Sequence, residues 1–481
     1  MKTKIDYFDY DTLLQPTDWR FAAAVVGLCK YFDYFGIDYK VLYDVEEKPD
    51  NYIHGFDGII YKSEDITEEK YLEFAENYFE RYMTHKNILN ILESQEFSEE
   101  QIKLVNDLVK SKTVLKGLFD KIKFDGTNKD IFISTIEENR AEIIKNIFKN
   151  GNNLYKNYCN ERLIFTEDNS TCRLRGYNVD KDRKTSNLGF CFSKESFGSN
   201  DILEFDFIPF AFSNSDMRET YFVNNNFSVK SLTQTNYAFS NQLSSTENKD
   251  DKNKLMLVLQ NSKDYISYDV EIISKSQDKA YYETFFVRLE RLKKLRELSG
   301  KSLNFVKKIN DDYWFNLEKE VYMRCMNNIL LDDVILKMFK FFYFEESEKK
   351  NSKAISEIRK TQKNIMYKIG LLVDINVSWK GNEIMDEIKS AKSCGFLTSK
   401  KLIEMKSSNK INSYKQKIIS ALCAHDYDRT KEIILSLSAY VGMEFSFFYT
   451  FLENAEENKD LAFAFASALS EVSSKNNEEN N

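Results

Sequence analysis

Apolar and polar positions change their spacing twice along the chain. TDWRFAAAVVGLCKYFDYFGIDYKVLY opens with Thr17 or Asp18 as an N-cap, runs apolar through Phe35 and stops at Gly36, which predicts a helix. YKVLY (39–43) and DGIIY (57–61) alternate as strands do. Three polar-capped helices are predicted next, from Thr67, Ser98 and Ser134. Both serines stand three residues before a Gln or Glu, the spacing of a capping box.

From about 160 to 285 the runs shorten and polar turns separate them. LIFTE, CRLRGYNV, LGFCFS, ILEFDFIPFAF, ETYFV, KLMLVLQ and YDVEIIS read as strands, with Pro209 marking an edge or an end of pairing. SSTENKDDKNK (244–254) reads as a mobile loop. After residue 280 the helical period returns. It predicts a long helix or helix pair over 311–344, a charged interruption at 349–360, and helices near 353–375, 381–406, 410–424, 427–441, 444–454 and 459–473.

The expected fold class is α+β, predominantly α, with a mixed N-terminal region (1–159) and a β-rich middle (160–285). Connecting helices (286–345), an all-α C-terminal bundle (346–473) and a polar, disordered tail (474–481) complete it. Only 15 Gly and 3 Pro in 481 residues agree with long helices. No run approaches the roughly 20 apolar residues that span a membrane, and MKTKIDYFDYDTLL is no signal peptide, so a cytoplasmic location is expected. The seven widely scattered cysteines read as reduced thiols.

Charge is unevenly placed. The net charge is -8, and residues 1–150 hold 20 Lys+Arg against 29 Asp+Glu. Residues 349–431 reverse this with 18 basic against 8 acidic, and 287–308 carry 8 against 2. Such runs are often solvated helix faces; two of them on an acidic chain also suit a polyanionic partner. Arg288, Arg291 and Lys294 in the first cluster, and Lys400, Lys401, Lys410, Lys415 and Lys417 in the second, are the candidate phosphate contacts.

Catalytic signals are weak. His54, His85 and His425 show no HxH, HExxH or HxxxH spacing. SGKS (299–302) lacks the leading glycine of a phosphate loop, because Leu295 stands there. No GxSxG or CxxC occurs, and Asp311/Asp312 and Asp332/Asp333 are adjacent pairs that point in different directions on a helix. The chain reads as non-enzymatic, with no cofactor and no metal.

The stretch EFDFIPFAFSNSDMRETYFVNNNFSVKSLTQTN (204–236) ends in amides. Asn224, Asn225 and Asn226 donate and accept hydrogen bonds without charge, and Arg218, Lys230, Gln234 and Asn236 add donors. A recognition loop over 218–236 is one reading; a plain turn built by residues that tolerate left-handed backbone is the other.

TDWRFAAAVVGLCKYFDYFGI, then FIPFAF with ETYFVNNNF, then ISALCAHDYDRTKEIILSLSAYVGMEFSFFYTFLENAEENKDLAFAFASAL, together resemble the large subunit of the type I CRISPR interference complex, Cascade. The likeness is to the I-B or I-A branch, of clostridial type, and spans nearly the whole chain. It implies a subunit that reads the motif flanking the target in double-stranded DNA, aids opening by the crRNA and recruits a separate helicase-nuclease. Backbone subunits of the complex are further implied partners. The helical end resembles the small subunit, which some branches make by internal initiation, and Met338 and Met366 are candidate starts here. Cys159, Cys172 and Cys191 lack the paired partners of the zinc module some relatives carry. The alternatives are a stand-alone phage-defence nuclease and a helical interaction scaffold.

Overall fold

The computed structural model describes residues 1–120, 122–151, 154–167, 172–176, 201–213, 219–225, 227–245, 254–277, 281–311, 313–347 and 355–470. The protein is α+β and predominantly α. It divides into two compact units, Met1–Leu289 and Glu290–Asn481.

The first unit opens on a hairpin, β1 (Lys2–Tyr7) and β2 (Tyr10–Leu14), before helix α1 (Trp19–Phe35). Asp18 is the N-cap, accepting from Arg20 N and Phe21 N, and Gly36 ends the helix at φ 64°. β3 (Lys40–Val41) and β4 (Ile59–Tyr61) complete an antiparallel sheet of order β1-β2-β4-β3. Alternation puts Leu14, Ile59 and Tyr61 into the main core and Leu13 and Ile60 into a small second one.

Helices α2 (Glu68–Tyr78), α3 (Thr84–Leu92), α4 (Glu99–Ser111), α5 (Thr113–Leu118), α6 (Lys129–Glu138), α7 (Arg140–Asn150) and the single turn α8 (Tyr155–Tyr158) follow. The Ser98 capping box forms in full. Ser134 caps nothing: it lies inside α6, its Oγ bonded to the Ile131 carbonyl, because the helix already starts at Lys129.

In the middle region, ETYFV and YDVEIIS fold as expected into β5 (Glu219–Asn224) and β6 (Val270–Ser276), joined by β7 (Tyr282–Val287) in an antiparallel sheet with β6 central. Other predicted strands are corrected. ILEFDFIPFAF forms a 3-10 turn (Leu203–Phe207) and the short helix α9 (Ile208–Ala211), with Pro209 in the first turn where its missing N–H costs nothing. These aromatics are buried against α1 and α2, and Gly27 lets the turn approach: a Cβ there would sit 2.1 Å from the Phe207 carbonyl oxygen. The supposed loop from 229 onward is α10 (Val229–Ser245), and KLMLVLQ is α11 (Lys254–Gln260). LGFCFS lies outside the described residues, as do most of SSTENKDDKNK and the tail 474–481.

The second unit begins with α12, a helix spanning Leu289–Arg296 whose first residue belongs to the first unit. A hairpin, β8 (Val306–Lys308) and β9 (Trp314–Asn316), occupies the start of the predicted 311–344 helix, which resolves into α13 (Leu317–Asn327) and α14 (Asp332–Ser347). The bundle continues with α15 (Ile355–Lys380), α16 (Met385–Glu404), α17 (Asn409–Cys423), α18 (Tyr427–Val441), α19 (Phe447–Glu453) and α20 (Lys459–Ala468), close to the predicted spans. α20 is buried on nearly every side and forms the bundle's axis. At one end a single amide ties three helices: Asn376 accepts from Leu331 N (2.7 Å) and donates to Asp332 (3.0 Å) and to fully buried Asp460 (2.9 Å).

Candidate nucleic-acid interface

The amide-rich stretch is built inward. Asn224 ends β5 at 3% exposure and donates to Glu271 Oε2 at 2.7 Å. Asn225 is 5% exposed and donates to Tyr268 OH at 2.9 Å, where Ser231 and Thr235 also bond. Asn236 faces the same sheet from α10, its amide bonded to the Val223 backbone and to the Leu232 carbonyl. These three residues are therefore corrected from exposed loop to structural positions, since burial against β5 leaves no surface for a groove. Arg218 and Asn226 lie outside the described residues.

Helix α10 has an exposed remainder. Its start is held by Ser228, which accepts from Ser231 N, and from a distance by buried Asp57, which accepts from Val229 N at 2.7 Å. Val229, Leu232, Asn236, Phe239 and Leu243 turn inward. Lys230 and Gln234 turn outward and share their face with Tyr237 and Asn241, at the i, i+4, i+7 and i+11 positions. No carboxylate occurs anywhere in α10. Tyr237 and Asn241 lie beyond the 218–236 stretch singled out in the sequence and join Lys230 and Gln234 only through the helical period of α10.

The first basic cluster is mixed in exposure. Arg288 is exposed after β7, in the first unit. In α12 Leu292 and Leu295 are buried, Arg291 is half-buried, and Lys294 donates to the Trp379 carbonyl at 3.3 Å beside Glu290. Lys294 is thus partly spent on holding α12 to the end of α15.

The second cluster is the more concentrated. Between Ile388 and His425 Glu404 is the single carboxylate, against eight lysines. Lys400, Lys401, Lys406 and Lys417 are exposed. Lys410 is half-buried with its ammonium 3.6 Å from the Tyr440 ring centroid. Lys415 is the correction here: at 3% exposure its ammonium lies 5.0 Å from the Phe342 ring centroid, inside the bundle. Helix geometry explains it, because Ile411, Ile418 and Leu422 share its buried face. Exposed Phe396 and Leu397 on α16 add apolar surface one turn before Lys400 and Lys401.

Burial shifts several ionisable groups that belong to the scaffold. Glu76 is 2% exposed; burial works to raise its carboxyl, but hydrogen bonds from His85 and Arg140 bring it down to about 2. Asp206 is raised by burial despite Arg173 beside it. Lys368, at 2% exposure, is lowered by burial, and its ammonium donates to Ser302 and Asn304, which fastens the SGKS segment to α15. Among the described residues there is no group of three or more His, Cys, Asp or Glu that could hold a metal ion, and no helix long and apolar enough to cross a membrane.

The family model of the CRISPR-associated protein Csx8 matches this chain over residues 10–252 and 240–469. No curated protein sequence matches it, and no solved structure does.

Proposed function

The chain belongs to the family of CRISPR-associated protein Csx8, and from that premise we propose that it is a non-catalytic, nucleic-acid-binding large subunit of a type I interference complex. The observation that carries the reading is the acid-poor surface of α16 and α17, where exposed Lys400, Lys401, Lys406 and Lys417 face solvent with Glu404 as the one carboxylate between Ile388 and His425. Such a surface takes phosphates by counterion release and suits an unpaired strand or a guide–target hybrid. Family membership makes other CRISPR components the natural partners. In this reading crRNA and backbone subunits share the complex, and a separate helicase-nuclease cuts the DNA.

Flanking-motif readout falls to the outer face of α10. Lys230, Gln234, Tyr237 and Asn241 present donors and acceptors along a helix without carboxylates, which a duplex groove can accept. Arg288 is an exposed cation of the same unit. A separate small subunit, if translated from Met338 or Met366, would begin inside α14 or α15, at a buried side chain in either case.

The test is purification of the tagged chain from its native operon, with sequencing of bound RNA and identification of co-purifying proteins. Uniform guide RNAs with repeat-derived ends, together with backbone-forming partners, are expected. A chain that emerges alone and free of RNA, or one that cleaves DNA with added divalent metal, overturns the reading.

A further inference from the structure

The hairpin of β8 and β9 displays an indole. Of the three tryptophans, Trp19 and Trp379 are 7% and 9% exposed, whereas Trp314 is 57% exposed. The antiparallel register pairs Lys308 with Trp314 and Val306 with Asn316. Period-two alternation therefore puts Val306, Lys308 and Trp314 on the outer face. Phe315 turns the other way, 1% exposed and edge-on to Phe341 at 5.1 Å.

This face is rigidly backed. Lys337 lies 4.5 Å from the Phe315 ring centroid and 5.2 Å from that of Tyr313. The tip closes through Ile309 N to the Tyr313 carbonyl (3.0 Å) and Tyr313 N to Asn310 Oδ1 (2.7 Å). Burial of a tryptophan is the norm, and no aromatic need stand at the surface merely to complete this fold.

The cross-strand neighbour of the indole selects the occupant. The hairpin carries Lys307 and Lys308 against Asp311 and Asp312, and it is Lys308 that stands directly opposite Trp314. Asp311 contacts Lys308 at 2.8 Å, but its side chain is 96% exposed, so the pair competes little with a phosphate. An exposed indole beside an ammonium is the combination that takes a base on the ring and its phosphate on the cation, and only an unpaired strand offers the flat face of a base.

We propose that the outer face of this hairpin is a base-stacking platform for single-stranded nucleic acid, with Trp314 under a base and Lys308 at the adjoining phosphate. The inference rests on the nucleic-acid reading of the chain and adds a second site, separate in sequence from the lysines of α16 and α17.

Trp19 and Trp379 are shielded from an added strand while Trp314 is exposed, so the quenching of full-chain emission that disappears in Trp314→Ala reports on Trp314. An oligothymidylate titration should quench emission in step with the anisotropy of a labelled copy of the same strand. Trp314→Ala should remove the quenching and weaken single-strand binding about tenfold, while Trp314→Phe keeps most of the affinity and a duplex probe binds both variants like the parent. Anisotropy that rises without quenching, and equal affinity in Trp314→Ala, would overturn the platform and leave the nucleic-acid reading standing. Loss of a co-purifying protein from Trp314→Ala, with strand binding unchanged, would overturn it in favour of protein docking. No binding of either strand form, by the chain or its assembled complex, removes the underlying reading as well.

Discussion

Asn236 holds both backbone groups of Val223: its Oδ1 accepts from Val223 N at 2.9 Å and its Nδ2 donates to the Val223 carbonyl at 2.8 Å. β5 is an edge strand, and the amide completes its open side as a neighbouring strand would. Asn236→Ala should leave these buried groups unpaired and cost on the order of 2–4 kcal/mol. Lys230→Ala, on the exposed face of the same helix, should stay within about 0.5 kcal/mol. Urea unfolding midpoints at unchanged slope make the comparison, and an unmoved midpoint for Asn236→Ala refutes the clamp.

Arg173 and Asp206 form a buried ion pair at 2.7 Å, with side chains 1% and 0% exposed. Asp206 also accepts from Tyr155 OH and Phe165 N, and Arg173 N donates to Asp201. Arg173→Met strands a carboxylate in the core and should cost about 3–5 kcal/mol. The double variant Arg173→Met with Asp206→Asn should recover a large part of that loss in thermal unfolding. Equal destabilisation of single and double variants would show that the pair itself is not the cause.

Acid stability should depend on Glu76. Its carboxyl is held at about 2 against an ordinary 4.5, so folding binds fewer protons there than the unfolded chain does. The contribution is complete above pH 4.5 and is lost as pH falls toward 2. Glu76→Gln should therefore flatten the stability profile across that window. A profile as steep as the parent's would assign the slope to other carboxylates.

The lysine surface makes a salt prediction. Each of Lys400, Lys401 and Lys417 replaced by Gln should lower the slope of log affinity against log salt by roughly 0.7–0.9 if it meets a phosphate. Lys415→Gln should instead lower stability with little change of slope, because this lysine is buried beside Phe342. Binding isotherms at several salt concentrations separate the two, and a flat response for all four would count against the surface.

Two helix glycines should respond with opposite signs. A Cβ on Gly395 would meet the Phe465 carbonyl oxygen at 2.7 Å and Ala468 Cβ at 2.9 Å, so Gly395→Ala pushes α16 off α20 and destabilises the bundle. On Gly370 the nearest atom would be Ser467 Oγ at 3.6 Å, an ordinary contact. Gly370→Ala should gain about 0.5–1 kcal/mol from helix propensity. Calorimetry of the two variants decides it, and a shift of the same sign in both would contradict the packing.

Local signals were legible and distant ones were not. Asp18, Gly36 and the Ser98 box act within one turn of themselves, so spacing alone located them. The C-terminal helices showed because their apolar rows are long and periodic. α10 was hidden because one of its caps, Asp57, lies far away in sequence, and because Thr235 and Asn236 interrupt its apolar face. KLMLVLQ is apolar throughout its middle, and such a run does not distinguish strand from helix. Among the candidate contacts, exposure of Lys400, Lys401 and Lys417 and burial of Lys415 follow from helical phase, whereas the inward aim of Asn224, Asn225 and Asn236 depends on a sheet edge assembled from three separated segments.

The Asn376 tie also bears on how the gene could be divided. A polypeptide started at Met338 keeps Asn376 and Asp460 but lacks Leu331 and Asp332, so the side-chain amide of Asn376 loses two of its three partners and must find water in their place. A shorter product that keeps this buried amide fully paired would have to start upstream of Leu331 and carry α14 whole.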